Sequence, residues 1–156
     1  LFGWSLKGKR SLAEWFFYNM QAGKAVKGFT DVCFKPMLAN HLTQVLLDML
    51  EANQPGIYHV VGGNCISKYD FGLAIARECG LDERLISPVS VVDFGLKAAR
   101  ANNLCLNTGK VEQVLHRSLP DFSTGIKQFF DLYQQGYPQI LRKMVDNSER
   151  SLNPFL

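Results

Sequence analysis

The histidine and serine residues of this 156-residue chain lack the neighbours that metal or nucleophilic chemistry requires. His41, His59 and His116 lie far apart, and no pair of them stands at the helical spacing of zinc ligands. No serine lies in the glycine-flanked turn that presents a catalytic nucleophile. The sequence therefore predicts neither a metal site nor a Ser/His/Asp catalytic group.

The cysteines and a glycine pair are the other residues whose spacing could indicate chemistry. Consecutive cysteines are at least 14 residues apart, so no close pair resembles a zinc knuckle or a redox dithiol. We expect reduced, mostly buried thiols, since free cysteine behaves as a small hydrophobe. Gly62–Gly63 lacks the third glycine and the acidic residue of a dinucleotide fingerprint, and is interpreted as a structural turn. The four cysteines are Cys33, Cys65, Cys79 and Cys105.

The composition indicates a globular chain without nucleic-acid or membrane partners. Apolar residues make up 47% of it, which is enough for a hydrophobic core. The net charge of +3 comes from scattered residues, too weak a bias to favour nucleic acid. No apolar stretch approaches the roughly 20 residues of a membrane span, and no signal-peptide pattern is present. We therefore predict a soluble, cytoplasmic protein.

Three helices have clear signals in the sequence. Ser11–Glu14 forms a capping box, and the helix it opens should run to about Gln21. Apolar residues recur at intervals of three and four over 40–52, which makes this the clearest amphipathic helix. A second capping signal at Ser67 opens a helix that Gly80 ends.

The strand signals are weaker. Ala25–Phe29 and Ile57–Val61 are predicted strands, with an irregular segment over 30–35. Two strands cannot form an independent sheet, so either the chain oligomerises or a missing amino-terminal sheet receives them. The sequence also opens in mid-pattern, which indicates a fragment.

The remaining predictions are an extended segment or loop over 85–92, helical turns over 93–99, helices from Thr108 to Leu115 and from Ser123 or Thr124 to Gln135, and a polar, flexible tail over 147–156.

A family resemblance is carried by three stretches in a fixed order. They are Asp31 and Pro36 with 38–42; Gly56–Gly63 followed by Ser67, Tyr69 and Phe71; and 99–103 with Leu106, Asn107 and Lys110. Together they resemble the extended short-chain dehydrogenases/reductases, and most closely the dTDP-4-dehydrorhamnose reductase group. The chain departs from the family pattern at Asn40, where an acid is usual, at Ala101 for proline, and at Asn107 for aspartate.

The resemblance implies an α/β fold, the helix-rich carboxyl-terminal portion of a Rossmann-type chain with two or three short strands. Residues 1–146 would form the substrate-binding domain, without the amino-terminal dinucleotide-binding part. The family's catalytic tyrosine is followed four residues later by lysine, and no tyrosine of this chain is. We therefore expect no catalysis by the chain alone, no cofactor bound to it, and NAD(P) bound by the parent protein.

The site implied by the resemblance is one of recognition, because a nucleotide sugar presents a diphosphate, a flat base and hydroxyl groups. Arg100 would contact the diphosphate, and Trp4 with Ser5 would border the sugar. Trp4 could equally be a packing residue, and Asp31 with Lys35 could be an exposed loop pair. The implied substrate-binding residues are Trp4, Ser5, Asp31, Lys35, Arg100, Asn102 and Asn103.

Three functions fit this resemblance. The first is the substrate-binding part of an NAD(P)-dependent nucleotide-sugar reductase. The second is a non-catalytic binding or regulatory protein of the same fold, such as the regulatory subunit of methionine adenosyltransferase. The third is part of a nucleotide-sugar epimerase or dehydratase, whose acids and bases would lie mainly upstream.

Overall fold

A computed structural model describes the backbone of residues 1–6, 10–95 and 101–152 and, within these ranges, the side chains as far as Met144. The helices are α1 (Leu12–Gln21), α2 (Ala39–Ala52), α3 (Lys68–Glu78), α4 (Gly109–Leu115), α5 (Phe122–Gln134) and α6 (Tyr137–Leu152), with a 3₁₀ turn at Glu83–Leu85. The strands are β1 (Val26–Phe29), β2 (Cys33–Phe34), β3 (Ile66–Ser67), β4 (Ile86–Val89) and β5 (Asn103–Leu104). Within these ranges, none of the helices combines the length and apolar character of a membrane span.

Two helix starts confirm their capping signals. The Ser11 hydroxyl accepts a hydrogen bond from the Glu14 amide at 3.3 Å, and the Glu14 carboxylate accepts one from the Ser11 amide at 2.8 Å. The Ser67 hydroxyl accepts from the Asp70 amide at 3.0 Å. Each bond satisfies an amide that has no partner within the helix, which explains why both starts could be predicted.

Later elements differ from the predictions in detail. Asp121 caps α5 in place of Ser123 or Thr124, because its carboxylate accepts from the Thr124 amide at 2.9 Å. Thr108 precedes α4 as predicted, without a side-chain capping bond. Residues 93–95 form a turn, and 96–99 lie outside the described residues. The backbone of α6 continues to Leu152, through the first part of the predicted tail.

The strands find partners within the chain. β1 pairs in parallel with β4, from Val26 opposite Ile86 to Phe29 opposite Val89. β2 lies between β3, which is antiparallel to it, and β5, which is parallel. The α/β, helix-rich class is therefore confirmed, whereas the expectation that β1 lacks a partner is wrong. Its partner, β4, lies within 85–92, for which the sequence predicts an extended segment or a loop.

The predicted strand Ile57–Val61 is wrong, since this segment forms no ladder in the structure. Ile57 is 85% exposed, and its carbonyl accepts a hydrogen bond from the Lys110 ammonium at 3.0 Å. Tyr58 and Val60 pack instead against a small cluster between α2 and α4. The apolar residues that suggested a strand pack against this cluster. An irregular segment can make such contacts with one apolar side.

The expectation of four reduced cysteines is also wrong, because Cys65 and Cys105 form a disulfide. Cys65 precedes β3 and Cys105 follows β5, so both lie at the same end of β2, which separates the two strands. Their Cα atoms are 5.8 Å apart, within the usual range for a disulfide. Cys33 and Cys79 are free thiols, and burial raises the pKa of Cys79 to about 12.

The buried apolar residues form two clusters of unequal size. The larger lies between α1, α3 and α5 against β1 and β4, and an edge-to-face contact joins Phe2 to Phe71 with ring centroids 5.3 Å apart. The smaller consists of Met37, Val45, Val111 and Leu119. Phe2 lies beside the start of α2, where its carbonyl accepts from the Ala39 amide at 2.8 Å.

Candidate ligand-binding site

An apolar cavity of about 770 Å³ opens between α1, β1 and the segment that follows β4. Three elements contribute most of its wall, which is mainly carbon. The lining side chains include Leu12, Trp15 and Phe16 of α1, Val26 and Phe29 of β1, and Val91, Phe94, Ala101 and Leu104 of the later segment. This surface, called the apolar cavity below, has the size of a small-molecule site.

Close packing of β1 against α3 sets the floor of the apolar cavity. A Cβ atom at Gly28 would lie 2.6 Å from the Tyr69 Cα, so no larger residue fits without a backbone shift. Gly72 of α3 similarly allows the Phe16 ring to approach, since a Cβ there would lie 2.8 Å from it. These two glycines let the strand and both helices meet closely.

Aromatic rings and lysine ammonium groups form the rim of the apolar cavity. Phe29 and Phe94 meet edge to face with centroids 5.1 Å apart. The Lys27 Nζ lies 5.9 Å from the Phe94 centroid, and the Lys68 Nζ lies 5.6 Å from the Phe29 centroid. The rim therefore combines flat apolar faces with positive charge.

Asp31 fixes the position of the segment after β4. Its carboxylate accepts hydrogen bonds from the Ser90 hydroxyl and from the Val91 amide, the latter at 2.9 Å. These bonds, with Ser90 as the larger contribution, lower the pKa of Asp31 below its usual value. Asp31 therefore holds Val91 in the cavity wall, and both of its oxygens already accept protein hydrogen bonds.

Three further predicted site residues, Asn102, Asn103 and Lys35, are near the cavity in sequence or structure, and none of them lines it. Asn102 and Asn103 stand between Ala101 and Leu104 of the wall, and the Asn102 carbonyl accepts from the Cys33 amide at 2.8 Å. Lys35 follows β2, and its carbonyl accepts from the Gly62 amide at 3.3 Å. Arg100 lies outside the described residues.

Trp4 and Ser5 lie apart from the apolar cavity. The Trp4 ring stacks on Phe129 with centroids 4.0 Å apart, and its indole N–H donates to the Phe129 carbonyl at 3.0 Å. The Ser5 amide and hydroxyl both donate to the Glu14 carboxylate. The structure therefore places Asn102 and Asn103 between two residues of the cavity wall, without lining it themselves, and places Trp4 against the aromatic core.

Sequence reasoning missed the contribution of α1 to the apolar cavity. Leu12, Trp15 and Phe16 have the helical spacing of a core stripe, which the sequence alone favours, and Phe16 is buried. The one available signal was Trp15, whose position beside Phe16 widens the apolar face beyond what a single contact surface needs. No group of three or more His, Cys, Asp or Glu side chains among the described residues could hold a metal ion.

Comparison with known proteins identifies a family and sequence relatives of this chain. The family model described as RmlD substrate binding domain matches residues 3–135. The probable low-salt glycan biosynthesis reductase Agl14 of Haloferax volcanii is 32% identical over 107 residues, 69% of this chain and 36% of that protein. A dTDP-4-dehydrorhamnose reductase of Aggregatibacter actinomycetemcomitans is 31% identical over 77 residues, 46% of this chain and 26% of the relative. The chain thus spans about a quarter to a third of these relatives.

Solved structures share the same fold. The dTDP-4-dehydrorhamnose reductase of Bacillus anthracis, in complex with NADP, superposes with a TM-score of 0.72 at 18% identity, over 80% of this chain and 44% of that one. The Clostridium acetobutylicum ortholog gives 0.71 at 20% identity, over 82% and 45%. At these identities the superpositions establish the fold alone.

Proposed function

The chain belongs to the RmlD substrate-binding domain family, and on that premise we propose that it binds the nucleotide-sugar substrate of a longer NAD(P)-dependent reductase. The domain would comprise residues 1–146, with 147–156 as a tail. Because the chain covers 36% of the length of the Haloferax reductase, the reduction itself is assigned to the remainder of the parent protein. The proposed location is the cytoplasm.

The observation that carries this proposal is the apolar cavity. Its volume of about 770 Å³ lies within the range of roughly 300–1,000 Å³ that holds small ligands. Trp15, Phe29 and Phe94 offer flat apolar faces to a base. Lys27 and Lys68 bring positive charge to the rim, where a diphosphate would lie.

The proposed substrate contacts extend from this cavity along the segment that contains Ala101. Arg100 precedes Ala101 in the sequence, and its planar guanidinium would hold the diphosphate through paired hydrogen bonds. Asn102 and Asn103 would bond sugar or base. The remaining proposed residues, whose contacts within the protein are given above, are Trp4, Ser5, Asp31 and Lys35.

The glycine pair of this chain does not fit a dinucleotide. A Cβ at Gly62 would lie 2.1 Å from the Pro36 carbonyl oxygen, and one at Gly63 would lie 2.9 Å from the Leu119 carbonyl oxygen. Protein backbone therefore occupies the space in which a pyrophosphate would have to approach. We propose that NAD(P) binds to the remainder of the parent protein.

The partner of this domain would cover α2. Leu46, Leu47 and Leu50, called the leucine face below, are 48%, 50% and 74% exposed on one side of that helix. Since about two thirds of the Haloferax relative lies outside the matched region, we propose that the amino-terminal part of the parent covers the leucine face. A second copy of the chain is the other occupant that the sequence allows.

The decisive experiment titrates a dTDP-sugar into the chain by calorimetry and compares Arg100→Lys. A charge-assisted hydrogen bond is worth about 1.5–3 kcal/mol, so the substitution should raise the dissociation constant roughly tenfold to a hundredfold. The melting temperature should hardly change. The matched control is Arg117→Lys, at a residue that pairs with Asp48 on α2 and is not part of the cavity wall.

Two outcomes would contradict the proposal. Absence of nucleotide-sugar binding at millimolar concentrations by folded wild-type chain would remove the substrate-binding role. Unchanged affinity in folded Arg100→Lys protein would remove Arg100 from the site. In the full-length parent, NADPH oxidation with a 4-keto dTDP-sugar separates the reductase from a regulatory protein, which would bind the sugar without consuming NADPH.

A further inference from the structure

A second pocket lies on the opposite side of α1 from the apolar cavity. It has a volume of about 310 Å³ and differs from the apolar cavity in being lined largely by polar side chains. Glu14 and Tyr18 are four residues apart on α1 and so share one face, and Arg10 lies just before the helix. Leu12, Trp15 and Phe16 line the apolar cavity instead. The basic pocket, as it is called here, consists of Ser5, Leu6, Arg10, Glu14, Tyr18 and Arg142.

Two guanidinium groups converge on Tyr18 in the basic pocket. The Arg10 Cζ lies 4.8 Å from the centre of the Tyr18 ring, and Arg142 Nη2 lies 3.5 Å from the Tyr18 hydroxyl. Among the described side chains, no carboxylate lies within ion-pair distance of either guanidinium. Two like charges therefore lie near one side chain, and none of the carboxylates whose side chains the structure describes neutralises either of them at close range.

The carboxylate of the pocket does not supply that counter-ion. Glu14 is 3% exposed and accepts hydrogen bonds from the Ser5 amide at 3.0 Å, the Ser5 hydroxyl at 3.2 Å and the Ser11 amide at 2.8 Å. The Glu14 carboxylate therefore accepts hydrogen bonds from residues that precede α1, including the N-cap Ser11. Arg10 also precedes the start of α1, where the helix dipole already favours an anion over a cation.

We propose that the basic pocket binds a phosphate group, as free inorganic phosphate or as a monoester. Arg10 and Arg142 would each donate N–H groups to its oxygens, and the Tyr18 hydroxyl would donate a further hydrogen bond. Burial, as the largest cause, raises the pKa of Tyr18, so its hydroxyl keeps its proton at neutral pH. The pocket shares Ser5 with the residues proposed for the nucleotide sugar, but the three side chains that would hold the phosphate, Arg10, Tyr18 and Arg142, are not among those residues and do not line the apolar cavity.

Calorimetric titration of inorganic phosphate into the 156-residue chain, at constant ionic strength in chloride, tests the proposal. We expect saturable binding of one phosphate per chain. Arg10→Gln and Arg142→Gln should each raise the dissociation constant about tenfold, since each removes a charge-assisted contact. Tyr18→Phe keeps the ring and should raise it about threefold.

The matched control is Lys143→Gln, which removes the same charge from the residue next to Arg142 without touching the basic pocket. It should bind phosphate as the wild type does. Near-UV circular dichroism shows whether each variant folds. Arg142→Lys, which keeps the charge, replaces Arg142→Gln if that protein unfolds, and should still weaken binding.

The proposal is overturned if folded Arg10→Gln and Arg142→Gln proteins bind phosphate as tightly as the wild type. It is equally overturned if wild-type chain shows no saturable binding up to tens of millimolar phosphate. Glycerol phosphate distinguishes the two sources of the group. Equal or tighter binding of the ester identifies a phosphorylated ligand, whereas loss of binding with the ester identifies free phosphate.

Discussion

Two amphipathic helices of this chain are buried to very different degrees. α1 buries five residues over ten positions, including Phe16 and Phe17, whereas α2 buries Val45 alone over fourteen. Both have helical apolar periodicity, and α2 has the clearer pattern in the sequence. Periodicity thus predicts that a helix has an apolar face. Whether that face is buried depends on which other elements of the fold pack against it.

The surroundings of the two helices differ in the same way. α1 lies in the larger cluster, where Phe17 contacts the Trp4, Phe129 and Tyr133 rings with centroids 4.6–6.2 Å apart. α2 lies beside the smaller cluster, together with α4 and the irregular segment over 57–61. The Cys65–Cys105 disulfide joins the ends of two segments that lead into this smaller cluster. A covalent link therefore supplements a small apolar core on the α2 side.

The largest expected effect is that of Phe17→Ala on the α1 side. Truncating a fully buried phenylalanine removes its transfer free energy and leaves a cavity, so the free energy of unfolding should fall by about 3–5 kcal/mol. Urea unfolding followed by circular dichroism measures this loss. Leu50→Ala on α2 is the comparison, and should change the stability by no more than about 0.5 kcal/mol.

This pair of variants could break the comparison between the helices. If Leu50→Ala cost as much as Phe17→Ala, the leucine face would be covered in solution. Equal costs would then place a partner on α2 in the isolated chain. A small cost for Phe17→Ala would mean that the aromatic cluster repacks around the space.

Removing the disulfide should have the next largest effect. The bridge spans 40 residues of sequence, and closing such a loop constrains the unfolded chain, so Cys65→Ser with Cys105→Ser should lower the free energy of unfolding by about 2–4 kcal/mol. Hydrogen exchange should rise more in α2 and α4 than in α1 and α3. Four reactive thiols in denatured, unreduced wild-type protein would show that the bond does not form.

The predictable part of the fold consists of features encoded within a few residues. The capping box before α1 and the serine cap of α3 need only a serine and an acid at fixed spacing, and the sequence predicts both helix starts. β2, β3 and β5 are each two residues long, too short for any alternation to show. The disulfide depends on the order of these strands, which sequence spacing cannot reveal.

The candidate site also has a part that a short sequence motif can predict and a part that depends on distant elements meeting. Asn102 and Asn103 are adjacent in a sequence motif, so the resemblance could name them together, and their role in binding stays a prediction. The apolar cavity could not be predicted, since it needs α1, β1 and the segment after β4 to meet. The resemblance implies that Asp31 binds substrate, whereas its carboxylate accepts hydrogen bonds from Ser90 and Val91, and these contacts require β4 to lie beside β1.

The smallest expected change in stability comes from Leu46→Gln with Leu50→Gln, which sharpens the comparison most directly. Both side chains are exposed, so the free energy of unfolding of the isolated chain should change by no more than about 0.5 kcal/mol. Binding to a separately produced amino-terminal part of the parent should weaken roughly tenfold or more, because burying a leucine contributes about 1.5–3 kcal/mol. Ile140→Gln, an exposed apolar residue on α6, is the control and should bind normally.

If light scattering instead shows wild-type dimers that the double variant abolishes, the leucine face is an interface between two copies of the chain. Unchanged binding and unchanged mass in the double variant would leave the exposed leucines of α2 without a partner, and the proposed docking surface would be wrong.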